Sequence, residues 1–103
     1  MYKRQHQHNF ADSDWPFSCP INARAFVTVK VLVGAEPIRL VSLESDGDWC
    51  VTCDTPADVS EYRLACLGCM FEMDSSIGAA AELEPGWLLV RDAVDSPWVK
   101  EKF

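Results

Sequence analysis

The sequence predicts an α+β domain: a small antiparallel sheet with two short helices packed on one face. Three observations carry that prediction. Two β-branched runs are followed by an Asp-Gly turn and a third apolar run. Asp-Gly between apolar runs is a strong short-range hairpin signal. An alanine-rich segment with serine at its start then precedes a last apolar run, and strands followed by helical material and a further strand fit the α+β class.

Residues 24–33 (Arg-Ala-Phe-Val-Thr-Val-Lys-Val-Leu-Val) are enriched in β-branched side chains and read as a first strand, at least to Thr28 or Val29. Gly34 to Pro37 breaks the run. Ile38–Leu43 reads as a second strand, Asp46-Gly47 as the hairpin turn, and Trp49–Cys53 as the third strand. Asp54–Glu61 is a polar loop broken by Pro56. Tyr62–Phe71 is apolar almost all round, so periodicity does not separate helix from strand there. Ser75 and Ser76 are candidate caps for a helix running through Ala79-Ala80-Ala81 to Leu83, which Pro85-Gly86 ends. Trp87–Arg91 is the last expected strand, and Asp92 onward is expected to be a tail anchored by Trp98.

Length sets the domain count. The 103 residues suffice for one domain that buries about two thirds of the surface its unfolded chain exposes. Residues 15–100 are expected to form that domain and residues 1–14 a disordered tail. Met1-Tyr2-Lys3-Arg4-Gln5 reads as the translation of a sequencing-library transposon adapter, which marks a metagenomic bacterial origin and excludes these five residues from fold reasoning. His6 and His8 then belong to a solvated tail. Trp15-Pro16-Phe17 is expected to pin the start of the domain through its two aromatics.

Charge and motif content exclude several function classes. The net charge is −7. Without Lys3 and Arg4 the balance is seven basic against sixteen acidic residues, a net charge of −9. The basic residues are spread along the chain, which argues against nucleic acid. Histidine is absent beyond His8, which removes the imidazole that Ser-His-Asp and Cys-His catalysis require. HExxH, GxGxxG and a Walker loop are also absent. Glu44 to Asp48 fails the EF-hand pattern, and so small a domain has little room for a glycosidase cleft. The chain is therefore expected not to be an enzyme. No run of 18 apolar residues occurs and no signal peptide is evident. With five cysteines, an odd number, a reducing cytoplasm is the expected compartment.

The cysteines themselves form two CxxC pairs, Cys50/Cys53 and Cys66/Cys69, with twelve residues between them. On spacing alone this is a four-thiolate zinc pattern. Yet Cys50 and Cys53 fall in the third strand, where positions three apart point to opposite faces. Neither pair reads as opening a helix after a strand in a βαβ unit, the setting that lowers a thiol pKa. Core cysteines are the preferred reading, and no metal is expected; a zinc-stabilised domain using all four is the alternative.

A different set of residues suggests a binding role. Asp46, Asp48, Asp54, Asp58 and Glu61 crowd one hairpin end and the loop after it. They are the candidate partner-binding residues, suited to a basic protein. Trp49, Trp87 and Arg91 lie in or beside strands and are expected in the core.

The ordered motifs also resemble a known group. Lys30-Val31-Leu32-Val33-Gly34 with Pro37-Ile38, Asp46-Gly47-Asp48-Trp49, Asp74-Ser75-Ser76-Ile77, Leu83-Glu84-Pro85-Gly86 and Arg91 together resemble a family of small uncharacterised bacterial proteins. More remotely, they resemble a domain among the immunity proteins of polymorphic toxin systems. The resemblance covers about residues 15–100. It implies a helical turn at Lys30–Val33 and a helix around Leu64–Phe71. It also implies a non-enzymatic module that binds a toxin domain, and no catalytic residue. The chain departs from the pattern in having Ser75 where a proline is usual and in its CxxC pairs.

Overall fold

The computed structural model describes residues 10–103. Met1–Gln5, His6 and His8 lie outside the described residues. Six strands form one sheet: β1 (Arg24–Thr28), β2 (Leu40–Leu43), β3 (Trp49–Thr52), β4 (Tyr62–Cys66), β5 (Trp87–Val90) and β6 (Val99–Lys102). Their order across the sheet is β4-β1-β3-β2-β5-β6. The helices are α1 (Val29–Leu32) and α2 (Leu67–Met73), and a longer 3-10 segment spans Ser75–Glu82.

The class is the α+β fold that the sequence predicts, with one difference in the sheet. β1 and β3 run parallel, while the other four pairings are antiparallel. Parallel neighbours need a crossover, supplied here by α1 and the β2 strand that precedes the hairpin. Nothing local in sequence marks such a pairing, because the hairpin signal fixes β2 against β3 but not which of them meets β1.

One face of the sheet is covered. Ala25 and Val27 of β1, Val51 of β3, Val41 of β2 and Leu89 of β5 point inward, against Val31 of α1, Leu67, Met70 and Phe71 of α2, and Ile77 and Ala80 of the 3-10 segment. Val27, Val31, Val41 and Val51 are fully buried, each contributing about 1.5–3 kcal/mol. Phe17 meets Trp49 edge-on at 5.3 Å, and Phe10 and Trp15 both meet Phe71 edge-on, at 4.9 and 5.5 Å. The Trp15-Pro16-Phe17 segment thus closes the end of the core, and packing extends back to Phe10.

Four local expectations are corrected. The first strand stops at Thr28, and Val29–Leu32 turns helical, as the family resemblance implies. Burial decides it: the turn seats Val31 in the core and leaves Val33 exposed. The amides of Ala35 and Glu36 both close on the Lys30 carbonyl, and Gly34 takes the positive φ of 77° that ends the turn. Tertiary packing here outweighs the β propensity of valine. Second, the helix that the resemblance implies around Leu64–Phe71 begins only at Leu67, and Tyr62–Cys66 is strand. Third, Asp74 caps the alanine-rich segment, its carboxylate accepting from the Ser76 amide at 3.0 Å, and that segment is a 3-10 helix. Fourth, the expected tail contains β6. All four of its residues are exposed, so the strand carries no apolar alternation to announce it. Its register sets Lys102 beside Trp87 and Lys100 beside Leu89, and both ammonium groups lie over the Trp87 ring.

Candidate functional site

The second face of the sheet is only partly covered, with Ser42 buried near its centre at 2% exposure, and alternation builds it. Opposed residues share a face, so the pairing registers place Leu64, Phe26, Cys50, Ser42 and Leu88 in one row across five strands. A neighbouring row carries Thr52, Leu40, Val90 and Val99. Phe26 is 40% exposed and Leu64 53%. Val59 from the 54–61 loop stands at 91% exposure and Phe103 from the C-terminus at 63%. Phe26, Leu40, Cys50, Thr52, Val59, Tyr62 and Phe103 line a groove of about 550 Å³.

Carboxylates stand at this groove. Glu44 and Asp48 are part of its lining. The Ser42 hydroxyl donates to Glu44 Oε2 at 2.7 Å, which fixes that carboxylate at the groove's end. Burial pushes the Cys50 thiol up, and the Glu44 charge adds to the effect. Tyr62 is likewise pushed up, chiefly by burial. Neither group is therefore ionised near neutrality, and the charge at the groove rests on Glu44 and Asp48.

The five acidic residues singled out from the sequence do not form one cluster. Asp46 and Asp48 precede β3 and Asp54, Asp58 and Glu61 follow it, so the strand's length separates the two sets. Asp46 accepts from the Asp48 amide within the hairpin turn. Asp58 and Glu61 form a reciprocal cap around a short 3-10 turn, Val59–Glu61, and so position Val59 at the groove. Asp54 turns to Arg39, 3.7 Å away. The apolar groove residues and Glu44 were missed. The signal that could have found them is Phe26 and Cys50 alternating with inward-facing neighbours on β1 and β3.

The four paired cysteines are not gathered either. Cys50 lies on the open face, whereas Cys53, one residue past β3, is buried with its sulfur 3.8 Å from the Thr28 hydroxyl. Cys66 and Cys69 sit together at the junction of β4 and α2. Among the described residues no three His, Cys, Asp or Glu side chains are grouped to hold a metal ion. Cys66 ends β4 and occupies the N-cap position of α2 without a side-chain capping bond, and β4 and the next strand, β5, are not neighbours in the sheet, so the pair does not open the helix of a βαβ unit.

Ile38, Asp74 and Ser76, from two of the motifs singled out in the sequence, converge on Arg91, and their role there is structural. Its side chain is 2% exposed and pairs with Asp74 at 2.6 Å. Nε and Nη2 donate to the Ile38 carbonyl, Nη1 to Ser76 Oγ and the Val94 carbonyl, and Nη2 also to Asp74. Trp98 covers the guanidinium at 4.2 Å. All five N–H donors of an arginine are thereby used, leaving none for a ligand. A second hollow of about 620 Å³ beside this knot is lined by Glu36, Met73 and Asp74 among others. Its carboxylates are already engaged, Glu36 by Thr55 and Lys30 and Asp74 by Arg91.

No family model, curated protein or solved structure matches the chain. The open face is thus the feature from which a function is to be read.

Proposed function

We propose that the chain is a non-enzymatic protein-binding module of immunity-protein type, whose open sheet face receives a cationic partner segment bearing apolar side chains. The observation that carries this reading is an apolar sheet face only partly covered, with Phe26, Leu64, Val59 and Phe103 exposed and the carboxylates of Glu44 and Asp48 at its groove. Exposed aromatic and aliphatic anchors supply affinity when a partner buries them. Glu44 and Asp48, within a chain of net charge −7, supply orientation and long-range attraction for a basic protein. A toxin domain of basic character is a partner of this chemistry. The chain's residues favour recognition over turnover, since the groove's titratable floor, Cys50 and Tyr62, is held neutral.

Selection of random peptides displayed on phage against the protein tests the reading. Peptides that alternate Lys or Arg with apolar residues are expected to be enriched. The Phe26→Asp variant, verified as folded by circular dichroism, is expected to lose that enrichment. Enrichment of acidic peptides, or an unchanged selection against Phe26→Asp, would contradict the proposal.

A further inference from the structure

Cys66 and Cys69 are placed as a pair by the fold. Cys66 is the last residue of β4 and the N-cap of α2, with φ −82° and ψ 129°, and Cys69 is the third helical residue. N-cap and N3 are the positions whose side chains stand together over the first turn of a helix, although Cys66 makes no side-chain capping bond. The turn between them is clamped. Leu67 is fully buried and Gly68 buried. The Leu67 amide donates to the Ala23 carbonyl and the Gly68 amide to the Ile21 carbonyl, both at 2.8 Å. The Cys66 thiol itself reaches the Ile21 carbonyl at 3.2 Å. Both cysteines remain partly exposed, so a small reagent can reach them.

We infer that Cys66 and Cys69 form a reversible dithiol–disulfide site that exchanges with low-molecular-weight disulfides. In the first step the Cys66 thiolate attacks one sulfur of a disulfide RSSR. The S–S bond breaks, RS⁻ leaves, and a mixed disulfide forms on Cys66. Cys69 then loses its proton and attacks the Cys66 sulfur, expelling the second RS⁻. The protein loses two electrons and two protons, and RSSR becomes two RSH. Burial, and next the neighbouring Cys66 sulfur, push Cys69 up to about 11. Cys69 is therefore the poorer group to start the exchange, and the Cys66 charge that adds to its shift is gone once the mixed disulfide has formed. The remaining cysteines are poorer candidates: burial pushes Cys19 and Cys50 up, and Cys53 is in the core.

The test is a thiol count with peptide mapping on the full chain equilibrated in glutathione buffers of increasing oxidised fraction. All five cysteines start as thiols. The count is expected to fall from five to three, with a single Cys66–Cys69 link, and to return on addition of dithiothreitol. In Cys69→Ser a glutathione adduct is expected to persist on Cys66. Retention of five thiols throughout, or adducts spread over Cys19 and Cys50 without a Cys66–Cys69 link, would overturn the inference. The wild-type mapping decides the matter even if the variant fails to fold.

Discussion

Asp74 shows how one side chain couples charge to architecture. Burial alone would raise its pKa, but hydrogen bonds from Ser76 and Arg91, with the guanidinium's charge, outweigh it and hold the carboxyl below its ordinary value of 3.8. Arg91 beside it is almost wholly enclosed. Removing one partner of such a pair leaves a buried charge uncompensated, at a cost of roughly 3–5 kcal/mol. Asp74→Ala is expected to lower stability by that order in denaturant unfolding. The sign of the pH effect follows from the direction of the shift. A carboxyl depressed in the folded state stabilises above its unfolded pKa, and the contribution is lost as pH falls through the folded value. Asp74→Asn is therefore expected to be less stable at neutral pH and to show a shallower loss of stability below about pH 4. An acid limb identical to wild type would show that Asp74 does not contribute as described.

The hairpin between β2 and β3 was legible because its turn chemistry is local. The Gly47 amide closes on the Glu44 carbonyl and the Glu44 amide on the Asp48 carbonyl, with Gly47 at φ 94°. A side chain at that φ is strained even though nothing crowds the position. Gly47→Ala is expected to cost about 1 kcal/mol, and Gly47→Asn less, by thermal unfolding. β1 and β5 were likewise legible from composition. α1 and β6 were not, for opposite reasons. In α1, valines with strand propensity turn helical because Val31 fills the core. In β6, Val-Lys-Glu-Lys forms a strand because β5 presents a free edge and Trp87 receives the lysines. Charged edge strands of this kind also guard a sheet against further pairing. The candidate site was legible only as acidity. Which face the helices cover is a tertiary outcome, so Phe26 and Leu64 could not be told from core residues in advance. The Cys66/Cys69 pair could not be placed because the change from strand to helix at Leu67 leaves no periodic trace in an all-apolar run.

Across the whole molecule, a covered face supplies stability and an open face is left for recognition. Because Phe26 is 40% exposed, Phe26→Ala is expected to leave stability nearly unchanged, within about 0.5–1 kcal/mol, while weakening peptide binding at least severalfold. The carboxylates at the groove and the net charge of −7 make attraction to a cationic segment ionic-strength dependent. Affinity is expected to fall severalfold between about 50 mM and about 500 mM salt, over which exposed charges become largely screened. Affinity independent of salt would point to apolar contact alone. The most direct measurement is a map of backbone amide shifts by NMR as a short alternating Lys-Leu peptide is titrated in. The account predicts perturbations concentrated on Phe26, Leu40, Cys50, Thr52, Tyr62 and Phe103, and their loss in Phe26→Asp. Shifts scattered over the acidic loops, or centred on the helical face around Ile77 and Ala81, would contradict it.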